Sequence, residues 1–113
     1  MTDRLELPQG TLDLLILKAL SLGPMHGWAI SERIRDVSRQ MLAVPQGSLY
    51  PALHRLERKG WVASKWEMAK ESKREFRYYR LTSAGKKHLV REECKWKQLA
   101  CAIARVMGTA EES

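Results

Sequence analysis

The stretch Gln46–Gly60 constrains the fold more than any other part of this chain, because both of its ends carry helix signals. We predict Ser48 as the N-cap, since its hydroxyl can accept hydrogen bonds from the free N–H groups of a first helical turn. Pro51 then falls within that first turn, where its missing N–H costs nothing. Gly60 suits the left-handed conformation that often follows the C-terminus of a helix. The sequence therefore predicts a short helix in the middle of the chain.

This central helix has two different faces. Leu49, Leu53 and Leu56 recur at spacings of four and three residues, so they form one apolar stripe. The opposite face carries Tyr50, Pro51, His54, Arg55 and Arg58. A helix anchored by leucines that presents these side chains outward is a candidate reader of a nucleic-acid groove. The alternative is an ordinary surface helix whose basic face is only solvated, and the neighbouring segments decide between the two.

The excess positive charge of the chain lies on and just after the central helix. The 113 residues, enough for one domain, have a net charge of +7 and a pI of about 9.7. Residues 55–80 hold nine basic and four acidic side chains, whereas residues 1–54 hold five of each. This bias favours an anionic partner, with nucleic acid ahead of an acidic membrane. The sequence shows no signal peptide and no apolar run long enough to span a bilayer, so we expect a cytoplasmic protein.

The first predicted helix begins at Thr11, which can cap it, and ends near Gly23. Its apolar residues, Leu15 among them, lie on more than one side. A helix that is apolar nearly all round is buried on more than one face. One of those faces either meets a second subunit or is covered by the rest of the monomer, and the sequence leaves both possibilities open.

Between the first and the central helix, the pattern predicts a turn, a helix and a strand. Pro24–Gly27 is the predicted turn, Trp28–Ser38 the helix and Met41–Val44 the short strand. The core face of this second helix is predicted to carry Ile30, Ile34 and Val37. The second and central helices would form a helix-turn-helix-like pair.

After Gly60 the apolar period changes from about 3.6 to 2, which predicts strands. Segments 61–66 and 76–81 are rich in β-branched and aromatic residues. The polar segment Glu67–Glu75 between them has a basic tip at Lys70, Lys73 and Arg74. A helix-turn-helix followed by a basic hairpin is the winged-helix arrangement, in which the hairpin reaches phosphates or the adjacent minor groove. The alternative for the tip is a solvated loop.

Thr82 is the predicted cap of a last helix that runs from Ser83 to about Met107. Apolar residues on this helix follow a coiled-coil-like seam, which Glu93 interrupts. The seam residues are Leu89, Trp96, Leu99, Ile103 and Val106. Because the remaining small domain cannot cover so long a stripe, we infer a contact between two chains.

These elements predict a mainly α chain with a small β-hairpin, of the α+β class. The expected architecture is a winged helix-turn-helix with a C-terminal dimerisation helix. We place the winged helix-turn-helix in residues 8–82, the dimerisation helix in residues 83–107 and a flexible tail in residues 108–113.

Three segments of the chain resemble the PadR family of bacterial transcriptional regulators. They are PMHGW at 24–28, GSLYPAL at 47–53 with LE and KG shortly after it, and YYRLT at 78–82 with Gly85. The resemblance covers about residues 8–107. It implies a homodimer that binds operator DNA, usually as a repressor. The single C-terminal helix is similar to that of the family's short members.

The resemblance also implies roles for individual residues. Together with the outward face of the central helix, the predicted DNA-binding set is Gln46, Ser48, Tyr50, Pro51, His54, Arg55, Arg58, Lys73, Arg74 and Arg77. Trp96 matches the aromatic residue that short members place at the dimer interface, which in some of them opens into a pore for flat hydrophobic compounds. One departure is the wing tip, where many members have glycines and this chain has SKREF.

No enzymatic, cofactor or metal site stands out in the sequence. The histidines show no ligand spacing with one another or with the cysteines; they are His26, His54 and His88. Cys94 and Cys101 lie about 10 Å apart along a helix, too far for a disulfide within the chain. We expect reduced thiols in a packing role, with redox sensing or a bridge between chains as alternatives. Packing is also the predicted role of Trp28, Trp61 and Trp66.

We therefore predict a homodimeric DNA-binding regulator, a repressor, on a pseudo-palindromic operator. Release by a small hydrophobic ligand or a partner near Trp96 is a further hypothesis, and control by abundance alone is its alternative. A different class is a winged helix that serves as a protein-interaction module without a DNA target. Such a module would be expected to lack the basic bias of residues 55–80.

Overall fold

The computed structural model describes residues 7, 10–69 and 71–109. In these ranges the chain forms four helices and a three-stranded antiparallel sheet of order β1-β3-β2. The elements are α1 (Thr11–Leu20), β1 (Met25–His26), α2 (Gly27–Val37), α3 (Gln46–Arg58), β2 (Val62–Met68), β3 (Glu75–Leu81) and α4 (Ser83–Met107). The predicted α+β class and winged-helix arrangement are confirmed. None of the described helices is long and apolar enough to cross a membrane.

One hydrophobic core joins α1, α2, α3 and the sheet. Its most deeply buried large side chains are Ile16, Leu17, Ile30, Leu49, Leu53 and Leu56. The predicted leucine stripe of the central helix is thus confirmed as a core face. Full burial of one such side chain stabilises the fold by about 1.5–3 kcal/mol. Val37 differs from the prediction, since it is 69% exposed as the last residue of α2.

The start of α3 differs from the sequence prediction. Pro45 is the N-cap, and its carbonyl accepts from the N–H groups of Ser48 and Leu49 at 2.9 and 3.0 Å, so Ser48 is not the cap. Pro51 consequently lies inside the helix, where the carbonyl four residues earlier lacks its usual donor. The added residues are exposed and have no apolar period, so the sequence pattern does not reveal them. Gly60 has a φ of 78°, as predicted for the position after the helix.

Helix α1 starts one residue earlier than predicted. Gly10 is the N-cap with a φ of 87°, and Thr11 is the first helical residue, not the cap. Glycine adopts this left-handed conformation without steric cost. The helix ends at Leu20, where the Ser21 hydroxyl donates to the Lys18 carbonyl at 2.6 Å. This local hydrogen bond competes with continuation of the helix towards Gly23.

Two short segments also differ from the prediction. Met25 and His26, predicted as part of a turn, form strand β1 and pair with β3. Met41–Val44 forms no strand element: Leu42 makes an isolated bridge, and Val44 is buried. Strand pairing depends on a neighbour remote in sequence, which a local pattern does not contain.

The hairpin and the last helix follow the predictions. Strands β2 and β3 pair from Val62 with Leu81 to Met68 with Glu75. The Thr82 hydroxyl accepts from the Gly85 N–H at 3.0 Å and donates to the Gly60 carbonyl at 2.6 Å. Thr82 therefore ties the start of α4 to the turn that follows α3. Lys70 of the predicted basic tip and residues 110–113 of the predicted tail lie outside the described residues.

Candidate nucleic-acid interface

The outward face of α3 is a contiguous exposed surface beside the hairpin. Pro51, His54 and Arg58 are spaced by three and four residues, so they lie at the centre of this face. The ten residues predicted to bind DNA are all exposed. Because the leucines on the opposite side are buried, the helix is held rigidly while its polar face stays free for a partner.

Arg55 lies on the flank of this face that is nearer to α1. Its Nη2 donates to the Asp13 carboxylate at 2.8 Å, and the two side chains are 44% and 23% exposed. A partly exposed pair of this kind contributes about 0.2–1 kcal/mol to stability. The contact joins residues 42 positions apart, so sequence reasoning did not find Asp13. The ion pair therefore holds the Arg55 guanidinium next to the first turn of α1.

Tyr50 lies on the other flank, against the start of α2. A Cβ placed on Gly27 would come within 2.8 Å of the Tyr50 hydroxyl and 2.9 Å of its Cε1. Glycine at this position is thus what allows the Tyr50 ring to lie against the backbone of α2. The ring remains 44% exposed, so it is available to a partner as well as packed.

A hydrogen-bonded strap joins α3 to the hairpin. Arg77 Nε donates to the Ser64 hydroxyl at 2.8 Å, and that hydroxyl donates to Glu57 Oε2 at 2.8 Å. Arg77 Nη2 lies 3.4 Å from the same carboxylate oxygen. This strap joins the middle of the hairpin to α3, and the sequence analysis did not identify Glu57 or Ser64 as part of it. Arg77 pairs with Trp66 in the middle of the ladder, the third pair from its tip end.

Tyr79 lies buried beside this strap. Burial raises the pKa of its phenol, while Arg77 acts to lower it and Glu57 to raise it by smaller amounts. The side chain stays neutral and serves as packing beneath the charged strap.

The tip of the hairpin is a turn that holds Lys73 in a left-handed conformation. Ala69 N–H donates to the Arg74 carbonyl at 2.9 Å, and Lys73 N–H donates to the Ala69 carbonyl at 3.1 Å. Lys73 has a φ of 56°, a conformation that favours glycine. The chain thus uses a lysine in a left-handed turn where its sequence lacks the expected glycines. Within the described ranges, Arg58, Lys73 and Arg74 have no acidic side chain at ion-pair distance.

Comparison with known proteins agrees with this geometry. The model of the transcriptional regulator PadR-like family matches residues 16–91, which span α1 to the first part of α4. The chain belongs to the PadR-like family of transcriptional regulators. This is a family of regulators, not of enzymes.

Solved structures of transcriptional regulators show the same fold. A transcriptional regulator from Clostridium thermocellum is 29% identical, with a TM-score of 0.76 over 86% of this chain and 90% of that one. PadR of Bacillus subtilis in complex with operator DNA is 25% identical, with a TM-score of 0.64 over 74% of this chain and 46% of that one.

A curated relative from a Streptomyces fradiae transposon, a 37.1 kDa protein, is 40% identical over 100 residues. The match covers 88% of this PadR-like chain but only 25% of the Streptomyces protein, so the chain spans about a quarter of that relative's length.

The predicted seam on α4 divides into two parts in this PadR-like fold. Leu89 is 5% exposed and belongs to the core of the monomer. The remainder of the seam is exposed in the monomer: Trp96 52%, Leu99 58%, Ile103 53% and Val106 87%. Leu15 on α1 is half-buried, and the Glu93 carboxylate that interrupts the seam pairs with Lys18 of α1 at 2.7 Å.

A cleft of about 450 Å³ lies between α1 and α4. Its wall includes Asp13, Trp61, His88, Trp96 and Leu99. Trp61 stacks on His88 with ring centroids 3.5 Å apart, which confirms the predicted packing role of Trp61. Burial of His88 against this ring lowers its pKa, and Glu92 opposes that shift.

The other two predicted packing tryptophans are exposed. Trp28 is 54% and Trp66 is 63% exposed, so the prediction of packing is wrong for both. They border a groove of about 660 Å³ between the start of α2, Tyr50 and the hairpin. The sequence around each tryptophan predicts a helix or a strand, but it does not predict whether that one side chain is exposed.

The cysteines and histidines form no reactive centre. Cys94 and Cys101 are free and exposed, on the side of α4 away from the seam, so the monomer gives them no packing role. Within the described residues, no group of three or more metal-ligating side chains comes together. His26 acts locally: its Nδ1 accepts from the Ala29 N–H at 3.2 Å and caps α2.

Proposed function

We propose that this protein is a homodimeric, sequence-specific repressor that binds a pseudo-palindromic operator with α3 and the hairpin, in the cytoplasm. The observation that carries this proposal is the exposed face of α3, joined through Glu57 to a hairpin with a basic tip. Within the described residues, Arg58, Lys73 and Arg74 have no acidic side chain at ion-pair distance. The complex of the related Bacillus subtilis PadR with operator DNA supports it. In a dimer, the two α3 helices would enter successive major grooves about 34 Å apart.

The side chains of the interface divide by chemistry. Arg58, Lys73 and Arg74 supply charge to phosphates, because they are exposed and free of ion pairs within the described chain. Pro51, His54 and Arg55 face the groove from α3 and are the candidates for base contact. Gln46 and Ser48 lie in the first turn of the helix, where backbone N–H groups suit a phosphate.

The exposed part of the α4 seam supports the homodimer. Three large apolar side chains, Trp96, Leu99 and Ile103, follow one another on a helix that the monomer leaves uncovered. An apolar stripe of this kind is stable in water when a second helix covers it. A second copy of α4, with the half-buried face of α1, provides such a cover.

The cleft beside Trp96 supports the release mechanism. Its volume of about 450 Å³ is within the range of small-molecule sites, about 300–1,000 Å³. A flat hydrophobic ligand stacked on Trp96 would move α4 relative to α1 and change the angle between the two DNA-binding units. The separation of the two α3 helices would then no longer match the operator.

Fluorescence anisotropy with the protein's own upstream DNA and with random DNA tests the DNA-binding function. We expect selective binding that weakens steeply between about 50 and 200 mM salt, since counterions are released from contacted phosphates. Arg58→Ala should lower the salt slope by about one, whereas Arg91→Ala on α4, an equal change in charge, should leave it unchanged. Affinity that is equal on both DNAs and indifferent to salt would instead favour the protein-interaction module.

A further inference from the structure

The ion pair between Asp13 and Arg55 connects the outward-facing helix to α1. The Nη2–Oδ1 distance is 2.8 Å, and the Asp13 side chain is the less exposed of the two, at 23% against 44%. Asp13 lies in the first turn of α1, where the helix dipole favours a carboxylate. The dipole of α1 therefore stabilises the Asp13 carboxylate at this position, and Arg55 contacts it from the neighbouring helix α3.

This contact leaves most of the guanidinium group free. The arginine side chain carries five N–H donors on three nitrogens in a planar fork. In the structure one of these nitrogens, Nη2, donates to Asp13. A guanidinium fixed on one side by a carboxylate can still present its other edge to a base. The fixed fork loses less rotamer freedom on binding, and its single orientation limits which base edge it can meet, so it favours one base over the others.

The same residue lies in the wall of the α1–α4 cleft. Asp13 borders this cleft together with Trp61, His88 and Trp96. One side of the residue thus meets Arg55 of α3, and the other side meets the space that α1 and α4 enclose. A change in the cleft that moves the first turn of α1 would move the anchor of Arg55.

We propose that Asp13 is a positioning residue that orients Arg55 for base recognition and couples the cleft to the DNA-binding helix. This inference rests on the proposed function, since it assigns a role within operator binding. It differs from a simple masking of charge, in which Asp13 would only weaken the attraction of Arg55 to any DNA. It differs also from a purely structural link between α1 and α3, which would affect stability and not base selectivity.

Selectivity is the readout that separates these roles. We define it as the ratio of affinities for the upstream DNA and for random DNA of equal length at one salt concentration. Asp13→Asn should lower this ratio by about tenfold, because Arg55 would lose the orientation that a two-pronged contact to one base requires. Asp36→Asn, at an exposed position of α2, removes the same charge and should leave the ratio unchanged.

A double-mutant cycle assigns the effect to Arg55. Arg55→Ala alone should lower the ratio, and adding Asp13→Asn should then cause no further loss. Arg55→Lys keeps the charge but loses the fork, so it should retain binding to random DNA while losing selectivity. Circular dichroism at the assay temperature checks that Asp13→Asn is fully folded, so that a loss of operator preference in this variant is not a folding defect.

The coupling to the cleft has its own readout. In protein with ¹⁵N-labelled tryptophan, operator DNA should shift the indole signal of Trp96, which the Trp96→Phe variant identifies. The shift should shrink in Asp13→Asn and persist in Asp36→Asn. A Trp96 signal that does not move, or that moves equally in both variants, would overturn the coupling.

Three results would overturn the positioning role of Asp13. Equal gains on both DNAs in Asp13→Asn would mean that Asp13 only masks charge, and an unchanged ratio would mean that it does not position Arg55. An equal loss of selectivity in the Arg55→Ala background would place the effect elsewhere. If the wild-type protein itself lacked operator preference, the proposed function would be wrong. This result is seen without any variant, so it is distinguished from a failure of the role proposed for Asp13.

Discussion

Helices α3 and α4 carry apolar stripes of similar pattern, but the two stripes have different fates. On α3, Leu49, Leu53 and Leu56 are at most 1% exposed within the monomer. On α4, Leu89 is buried, whereas Leu99 and the seam residues beyond it are more than half exposed. The pattern of an apolar stripe therefore does not indicate whether the helix's own chain covers it.

The polar faces of these helices differ in how their charges are paired. The outward face of α3 carries Arg55 and Arg58, and the acidic partner of Arg55 is Asp13 of α1. Helix α4 combines both signs: Glu92 pairs with Lys95 on the helix itself, and Glu93 pairs with Lys18 of α1. We propose that α3 meets an external anion and that α4 meets another copy of itself.

The largest expected effect is at the buried stripe. Leu53→Ala should lower the free energy of unfolding by about 2–5 kcal/mol, because the core around α3 cannot collapse fully onto the cavity. Urea denaturation measures this loss, which should be independent of protein concentration.

Leu99→Ala is the matched substitution on α4. Since Leu99 is 58% exposed in the monomer, its effect on stability should grow with protein concentration and vanish at high dilution. A loss equal to that of Leu53→Ala at every concentration would break the distinction between the two stripes.

The next effect concerns dimer affinity. Trp96→Ala should raise the dimer dissociation constant by at least about thirtyfold, as expected for a central aromatic anchor worth about 2 kcal/mol. Sedimentation velocity over a dilution series measures it. Trp66→Ala removes a similarly exposed tryptophan from the hairpin and should leave dimer affinity unchanged. Equal weakening by both substitutions would count against the seam.

The hairpin tip gives a smaller effect. Lys73→Gly should stabilise the fold by about 0.5 kcal/mol, because glycine relieves the left-handed φ of 56° at some cost in chain entropy. It should also lower the salt slope of DNA binding by about one. Lys73→Ala should lower the slope equally without adding stability, and thermal unfolding with anisotropy compares the two variants. Greater stability in the alanine variant would contradict the assigned turn.

The smallest expected effect is the pH dependence of stability that His88 of α4 produces. The pKa of His88 is below its ordinary value of 6.5 in the folded state, chiefly through burial. The folded state therefore binds this proton less readily than the unfolded state. The resulting stability is present above 6.5 and is lost as the pH falls through the lowered pKa.

His88→Phe tests this pH dependence because phenylalanine can keep a ring against Trp61 without titrating. The difference in unfolding midpoint between the wild-type protein and this variant should shift against the wild type as the pH falls below 6.5. Parallel pH profiles would show that His88 does not contribute to acid sensitivity.

Local patterns in the sequence determined most of the elements. The leucine stripe of α3, the Thr82 cap, the hairpin and the extent of α4 follow from periodicity and capping, which act over a few residues. The family resemblance placed the interface on α3 and the wing. The exposed surface of the predicted DNA-binding set agrees with that placement, and its contact with DNA stays a prediction.

Only the tertiary structure decided how these elements meet. Strand β1, the ion pair of Asp13 with Arg55 and the strap from Glu57 to Arg77 each join segments far apart in the chain. The same holds for the exposure of Trp28 and Trp66. The spacing of residues along one segment reports its own faces, but not which remote segment covers them, because that depends on packing of the whole fold.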